Sequence, residues 1–233
     1  MGTRQGARHM KSEFKGVLFD VDGVLVDSER FIAEAAVLMF AEMYGVVVEA
    51  REFAPFIGTG EARYLGGVAE LHRVKIDVAR AKERTYDLYF DVIRERMRPV
   101  AGALELVREL RAAGIKLAVA TSADRRKFEA NLLEVGLEEA AFDAVVTGID
   151  VERKKPFPDI YLEAARRIGL SASECVVVED APEGLRAGKA AGARCVGLTT
   201  TFAAGRLREA GADSILADLR GGMAILGLRV GRV

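Results

Sequence analysis

Short apolar runs alternate with amphipathic stretches from Pro99 to near the end of the chain, and this alternation limits the possible folds more than any other feature. Apolar runs of this length indicate buried strands, and the stretches between them have helical spacing and often end at a glycine. Such an alternation predicts a doubly wound parallel sheet, an α/β fold with helices on both faces. The predicted strands span residues 116–121, 143–147, 175–180 and 194–199, with a last edge strand at 214–218.

An earlier strand is predicted at Gly16–Phe19, and a long segment of different character separates it from the others. Residues 31–97 contain helical patterns and no convincing long strand, so we expect a helical insert there. The predicted organisation is a Rossmann-like core domain of residues 13–30 and 98–233, with a small α-helical cap domain of residues 31–97. Residues 1–12 have no packing pattern and resemble a disordered leader or expression tag, so they are excluded from fold reasoning.

Composition excludes several function classes. The 34 Lys and Arg residues balance 35 Asp and Glu residues, which gives no support for a nucleic-acid partner. No apolar run approaches the length of a membrane span, so no membrane insertion is expected. Two histidines, His9 and His72, make a histidine-based metal site or a Ser-His triad implausible. Cys175 and Cys195 both begin predicted strands, which indicates buried thiols in a reducing compartment. We therefore expect a soluble, intracellular and monomeric protein.

The first predicted strand ends in a pair of acids, Asp20 and Asp22, followed at once by Gly23. The glycine permits a turn in which both carboxylates lean toward the crevice beyond the strand ends, where ligands bind in parallel sheets. One carboxylate could attack phosphorus, and the other could protonate the leaving oxygen and later deprotonate a water. A solvated acidic turn is the simpler alternative. An EF-hand is excluded, because Val24 and Phe31 fall where its calcium loop requires acids.

Polar residues also follow two later strands. The hydroxyl of Thr121 and the turn at Ser122 could hold a phosphate at the start of a helix, although a plain helix N-cap is the simpler interpretation of these residues alone. Glu179 and Asp180 close the most apolar strand, where adjacent acids are costly unless a cation compensates. A Mg²⁺ held by Asp20, Asp180 and the carbonyl of Asp22 would do so, with Glu179 contacting a metal-bound water or a lysine.

A lysine before Pro156 completes the candidate site. Lys155 is preferred over Lys154 as the residue that reaches the crevice and offsets the negative charge of phosphate and nucleophile. A solvated basic loop is the alternative interpretation.

Together these four elements resemble, in order and in strand context, the four motifs of the haloacid dehalogenase superfamily of hydrolases. The resemblance implies Asp20 as nucleophile and Asp22 as acid/base, with phosphate held by Thr121, Ser122 and Lys155. It also implies Mg²⁺ as cofactor, with the metal site formed by Asp20, Asp22, Glu179 and Asp180. Haloacid dehalogenases themselves lack the second aspartate, so Asp22 argues against dehalogenation.

The helical insert resembles the cap of the subgroup that contains phosphoglycolate phosphatases and β-phosphoglucomutases. The resemblance implies a Mg²⁺-dependent phosphatase that hydrolyses a small phosphorylated metabolite through an aspartyl-phosphate, with Gly58, Glu61 and Arg63 of the cap reading the substrate. A sugar-phosphate mutase is the alternative. It is disfavoured because Ile57 and Glu61 stand where such mutases carry a lysine and an arginine.

A non-catalytic role is a further alternative. Residues 58–69 and 173–180 look most like a domain of this superfamily found in multidomain chloroplast proteins of plants and algae. That resemblance leaves open a regulatory or interaction module, and a location in the chloroplast stroma instead of the cytoplasm. The four motifs are unbroken, which favours retained chemistry.

Overall fold

A computed structural model describes residues 14–226 of the chain and contains a six-stranded, all-parallel sheet. The strand order is β3-β2-β1-β4-β5-β6, so the first strand lies in the middle. The doubly wound α/β fold predicted from the sequence is confirmed. The strands are β1 (Gly16–Phe19), β2 (Lys116–Ala120), β3 (Ala144–Val146), β4 (Cys175–Glu179), β5 (Arg194–Leu198) and β6 (Ser214–Leu216).

The helices cover both faces of the sheet because its strands are apolar on both sides. In β1, Val17 and Phe19 belong to one hydrophobic cluster, and Leu18 between them belongs to the other. Alternate residues of a strand point to opposite faces, so each face receives its own layer of helices. The helices are α1 (Glu29–Tyr44), α2 (Glu61–Leu71), α3 (Val78–Ile93), α4 (Ala103–Ala112), α5 (Arg125–Val135), α6 (Asp159–Arg167), α7 (Pro182–Ala190) and α8 (Ala204–Glu209).

Helices α1, α2 and α3 form the helical insert between β1 and the rest of the sheet, and they pack mainly on one another. A short 3-10 helix at Ala50–Phe56 lies between α1 and α2, and the ring of its Phe53 stacks on Tyr64 with centroids 4.8 Å apart. The expected start of the cap at residue 31 falls inside α1, because that helix already begins at Glu29.

The two connections between insert and core run side by side. Val26, on the way out, forms an antiparallel bridge with Pro99, on the way back. The Asp27 N–H donates to the Arg98 carbonyl at 3.0 Å, and the Val100 N–H donates to the Leu25 carbonyl at 3.1 Å. The insert is therefore attached to the core through one narrow, paired ribbon.

Most departures from the sequence-based expectations are small. Helix α3 ends at Ile93, short of the predicted end of the insert at residue 97. Helix α8 was not predicted, because its six residues bury only Leu207 and give almost no periodic signal. The expected leader and the last residues of the expected core domain lie outside the described range.

Cys175 and Cys195 are both buried free thiols, and no disulfide joins them. Within residues 14–226, none of the helices combines the length and apolar character needed to cross a bilayer.

Candidate active site

A cavity lies where the carboxyl ends of β1, β2 and β4 face the helical insert. The chain leaves β1 on one side for β2 and returns on the other for β4, so this is the switch point at which open α/β sheets bind ligands. The cavity brings together nearly all the residues predicted for the site, namely Asp20, Asp22, Gly58, Glu61, Thr121, Ser122, Lys155, Glu179 and Asp180.

Lys155 is at the centre of the core side of this cavity. Its buried ammonium donates to Asp20 Oδ1 and to Glu179 Oε1, both at 2.7 Å, and to the Ala120 carbonyl at 3.2 Å. The Tyr161 hydroxyl donates to the same Glu179 oxygen at 3.0 Å. These groups come from the ends of β1, β2 and β4, from the segment that leads into α6, and from α6 itself. Lys154 points elsewhere and donates to the carbonyls of the 148–151 loop.

Asp20 and Asp180 are held in a desolvated environment. Burial raises the pKa of Asp20 to about 7, although the Lys155 ammonium opposes the shift. Burial, reinforced by the neighbouring charge of Glu179, also raises the pKa of Asp180 well above its usual range. Carboxylates in such surroundings are stabilised by a nearby cation, because a bare charge in a low dielectric is costly.

The residues present fit a divalent metal ion. Carboxylate oxygens of Asp20, Glu179 and Asp180 lie within 4.8 Å of one another, and all three residues are buried. Asp180 Oδ2 is buried and has no hydrogen-bond partner among the described residues, so one acceptor is directed into the site without a donor. Hard divalent cations prefer such oxygen ligands. The carboxylate of Asp22, also in the predicted metal set, is engaged by other side chains, and its predicted role through the backbone carbonyl remains a prediction.

Two glycines allow this close grouping of acids. Gly23 has a φ of +72°, and a Cβ there would lie 1.9 Å from Asp180 Oδ2. A Cβ on Gly184 in α7 would lie 1.6 Å from Glu179 Oε1. Any side chain at either position would push an acidic residue out of the cavity, so both glycines are required by space.

Asp22 lies in a second polar cluster, on the side of the cavity nearer the insert. Lys127 Nζ donates to Asp22 Oδ2 at 2.9 Å, Asn131 Nδ2 donates to Asp22 Oδ1 at 3.2 Å, and the Ser28 hydroxyl donates to the same oxygen. Burial would raise the pKa of Asp22, but Lys127 and the other donors outweigh it and hold the pKa below its usual value. The pKa values of the two acids of the first motif are thus shifted in opposite directions, which shows that the two carboxyl groups lie in different electrostatic environments.

Lys127, Asn131 and Ser28 were missed by the sequence analysis. Ser28 stands at the N-cap position of α1, but its hydroxyl makes no cap bond and donates to Asp22 instead. Lys127 and Asn131 lie four residues apart on α5, and both are buried. Polar residues at helical spacing on the apolar face of an amphipathic helix are a signal that could have identified them.

The predicted phosphate-binding hydroxyls lie at the end of β2. Thr121 is buried, and its Oγ1 accepts from the Ala123 N–H at 3.1 Å. The Ser122 hydroxyl donates to the Gly58 carbonyl at 3.3 Å, which joins the core to the insert across the cavity. Ser122 therefore already has a partner in the insert in this arrangement of the chain.

Of the predicted cap residues, Gly58 and Glu61 line the cavity and Arg63 does not. The Arg63 guanidinium pairs with Glu70 at 2.9 Å and lies over the Phe56 ring, 5.0 Å from its centroid. Residues two apart on a helix point in nearly opposite directions, so Glu61 faces the cavity and Arg63 faces outward. The guanidinium of Arg63 therefore lies outside the cavity, and its expected role in reading the substrate remains a prediction.

The fold and the site define an α/β enzyme with an acidic, lysine-containing centre at the topological switch point. The chain belongs to the family of haloacid dehalogenase-like hydrolases, which matches residues 14–192. The superfamily membership predicted from the four motifs is confirmed.

Known relatives agree with this membership. The chain is 48% identical over 206 residues to Protein SUPPRESSOR OF QUENCHING 1, chloroplastic, of Arabidopsis thaliana. That alignment covers 87% of this chain but 19% of the much longer plant protein. The chain is also 35% identical over 207 residues to validoxylamine A 7'-phosphate phosphatase of Streptomyces hygroscopicus subsp. limoneus. This second alignment covers 88% of this chain and 94% of the relative.

Among solved structures, CbbY from Rhodobacter sphaeroides in complex with phosphate superposes with a TM-score of 0.80 at 29% sequence identity. The superposition covers 92% of this chain and 100% of CbbY. The prediction that the chain is an enzyme of the phosphatase class is confirmed by these comparisons, whereas its substrate and mechanism are matters of proposal.

Proposed function

We propose that the chain is a Mg²⁺-dependent phosphatase that hydrolyses a small phosphorylated metabolite through an aspartyl-phosphate. One observation carries the proposal: Asp20 and Asp22 enter the same cavity but are held by different lysines, and Asp20 lies in the buried acidic cluster with Glu179 and Asp180. This separation lets one carboxylate serve as nucleophile and the other as proton carrier, and a bound cation would keep Asp20 ionised against its burial.

The residues account for a balanced reaction in two steps. An oxygen of Asp20 attacks phosphorus, the bond from phosphorus to the ester oxygen breaks, and Asp22 gives its proton to the departing oxygen. Water then attacks the same phosphorus, Asp22 takes a proton from it, and inorganic phosphate leaves with Asp20 restored. Lys155 offsets negative charge beside Asp20 in both steps, and Thr121 and Ser122 hold phosphate oxygens at the end of β2.

Asp20, Glu179 and Asp180, together with the Asp22 carbonyl, would hold the metal ion. When bound, Mg²⁺ would supply positive charge against the acidic cluster and the phosphate. The unpartnered Asp180 Oδ2 is the observation that supports a cation at this place.

Asp22 is paired with Lys127 in the structure, so it is in the form that accepts a proton from water. To protonate a leaving group it must first take up a proton and loosen from Lys127. Binding of substrate next to the insert is the event that we expect to cause this change, since Ser28 and Glu29 connect Asp22 to the start of α1.

Metal removal tests the proposal directly. Turnover of p-nitrophenyl phosphate should be abolished by EDTA and restored by excess Mg²⁺, with Ca²⁺ as the comparison cation. Circular dichroism before and after chelation controls for unfolding. Full turnover in EDTA would exclude the metal assignment.

A regulatory or interaction module is the second candidate, and the 48% identity to one part of a multidomain chloroplast protein favours it. The intact acidic cluster and the paired lysines argue that chemistry is retained. Failure of the protein to hydrolyse any phosphate ester in the presence of Mg²⁺ would favour the regulatory or interaction module.

A further inference from the structure

The wall of the cavity opposite Lys155 is formed by groups that the proposed reaction does not use. Glu29 from the first turn of α1 and Glu61 from the first turn of α2 are both partly buried there, next to Tyr64. Apolar side chains complete this wall, which we call the insert wall: Ile32, Phe56 and Ile57. The insert wall is where the part of a substrate beyond its phosphate would lie.

The Tyr64 hydroxyl is a buried polar group that a ligand could satisfy. The side chain is 6% exposed, and its oxygen has no hydrogen-bond partner among the described residues. Stacking of the ring on Phe53 fixes its position. A buried hydroxyl without a partner costs free energy that a substrate hydroxyl would recover by pairing with it.

The charges of the cavity are strongly unbalanced. Among the described residues, the cavity is lined by six carboxyl groups, those of Asp20, Asp22, Glu29, Glu61, Glu179 and Asp180. The cationic side chains among these lining residues are those of Lys127 and Lys155. Both lysines are held by carboxylates at 2.7–2.9 Å. Neither is therefore available to neutralise an anion at the insert wall.

Glu61 also occupies the place where an anion would otherwise be favoured. It is the first residue of α2, and its neighbour Gly60 provides no side-chain cap, so a carboxylate already lies beside the N–H groups of this helix end. Burial raises the pKa of Glu61, and burial followed by the charge of Asp22 raises the pKa of Glu29 to about 8. Both shifts reflect poor solvation of the cavity. Where the two groups are ionised they repel a second anion, and where they are protonated a second anion beside them would still be poorly solvated.

We propose that Glu29, Glu61 and Tyr64 form a leaving-group subsite that selects phosphate monoesters of uncharged polyols and rejects leaving groups with a second phosphate or a carboxylate. Hydroxyl groups of a sugar or sugar alcohol donate to the two glutamates and pair with the tyrosine. Carbon-bound hydrogens of the same molecule pack on Ile32, Phe56 and Ile57. This specificity rests on the proposed phosphatase function and names its substrate class.

A matched pair of ligands tests the subsite. D-glucitol 6-phosphate and 6-phosphogluconate have the same carbon chain and differ by a hydroxymethyl group against a carboxylate. Their affinities for the Asp20→Asn variant with Mg²⁺, measured by calorimetry, do not depend on turnover. The polyol phosphate should bind roughly ten- to hundredfold more tightly than 6-phosphogluconate. Its terminal hydroxyl gains a hydrogen bond to a charged group, whereas the carboxylate of 6-phosphogluconate is repelled.

Variants of residues on α2 then identify the side chains that cause the preference for the polyol phosphate. In the Asp20→Asn background, Glu61→Gln should reduce the preference for the polyol phosphate at least about fivefold, because it removes the charge and keeps the shape. Glu70→Gln, an exposed glutamate on the same helix, should leave it unchanged. Tyr64→Phe removes only the unpartnered hydroxyl, and in the active enzyme it should lower kcat/KM for glucitol 6-phosphate relative to p-nitrophenyl phosphate.

The outcomes are separable. Equal or tighter binding of 6-phosphogluconate would overturn the subsite, as would an unchanged preference in both Glu61→Gln and Tyr64→Phe. If the polyol phosphate is preferred in binding but the wild-type enzyme hydrolyses no ester, the subsite stands and the phosphatase function fails. If p-nitrophenyl phosphate is hydrolysed and no preference exists, the function stands and the subsite fails.

Discussion

The two motif acids are only two residues apart, yet they belong to regions of the molecule with different construction. Asp20 shares Lys155 with Glu179, and every member of that cluster comes from the core. Asp22 accepts from Lys127 of α5 and from Ser28 at the start of α1, the edge of the insert. The Lys155 side chain is 1% exposed and the Lys127 side chain 4%, so burial does not distinguish them.

The difference between them is in what each cluster is attached to. The Asp20 cluster is anchored to three adjacent strands and is expected to keep its geometry whatever the insert does. The Asp22 cluster connects the sheet to a segment that is fixed to the core through one paired ribbon. We infer that phosphate binding is a property of the core, whereas proton transfer is coupled to the insert and to what it binds.

Removing the nucleophile should have the largest effect. Asp20→Asn should reduce kcat on p-nitrophenyl phosphate about a thousandfold or more, because an amide cannot form the acyl phosphate. The fold should persist, since Lys155 keeps its contact with Glu179. Steady-state kinetics and a thermal melt measure both properties, with the exposed Asp91→Asn as control. Substantial residual turnover would show that another group attacks.

Replacing each lysine by methionine tests whether the clusters differ. Lys155→Met leaves two buried acids unpaired, and it should cost about 3–5 kcal/mol in the free energy of unfolding and depress kcat on every phosphate ester. Lys127→Met should spare phosphate binding, measured as the inhibition constant of inorganic phosphate. It should also move the acid limb of the kcat profile to higher pH, because the pKa of Asp22 rises without its cation.

Equal effects of the two lysine substitutions on phosphate affinity and pH profile would remove the proposed distinction. Arg126→Met, an exposed cation beside Lys127 that pairs with Asp87, is the control for α5.

Asp150 lies away from the cavity and has a low pKa, so replacing it tests stability separately from catalysis. Burial would raise the pKa of Asp150, but hydrogen bonds from Arg167 and Thr147 hold it at about 2. A depressed pKa adds stability above the unfolded-state pKa of about 4, and this contribution is lost as pH falls toward 2. Asp150→Asn should therefore lower the free energy of unfolding by about 1–2 kcal/mol at neutral pH, allowing for solvent screening, and by less in acid.

Urea titrations at neutral pH and in mild acid measure the Asp150→Asn difference, with kcat as the second readout. A loss of stability that does not shrink in acid would contradict the linkage. A change in kcat would show that this pair also acts on the site.

The smallest effect is expected for Arg63, whose pair with Glu70 is on the outer surface of the insert. Arg63→Ala should change the free energy of unfolding by no more than about 0.5 kcal/mol, as is usual for exposed ion pairs. Its kinetics on sugar phosphates should match those of the wild type. A change in KM on the scale of the Glu61 variants would mean that Arg63 turns inward when substrate binds.

The sequence predicted the sheet well because the inner strands β1, β2, β4 and β5 are buried on both faces and so appear as continuous apolar runs. It also placed Asp20, Lys155 and Glu179 near one another, because parallel strands end at a common edge. The Lys127 cluster could not be located in this way, since it depends on which face of α5 meets β1. Arg63 was expected at the cavity and lies outside it for a related reason: the phase of α2 relative to the cavity is set by packing of Tyr64 and Leu65.

The bridge between Val26 and Pro99 has a consequence for how such proteins can diversify. Because the chain leaves and re-enters the core at neighbouring positions, the sheet needs only a closed loop there and places no demand on the length of what is inserted. A longer, shorter or differently folded segment could be exchanged at that ribbon without changing the register of a single strand. One catalytic core can thus be inherited intact while the substrate range is rewritten by replacing a module.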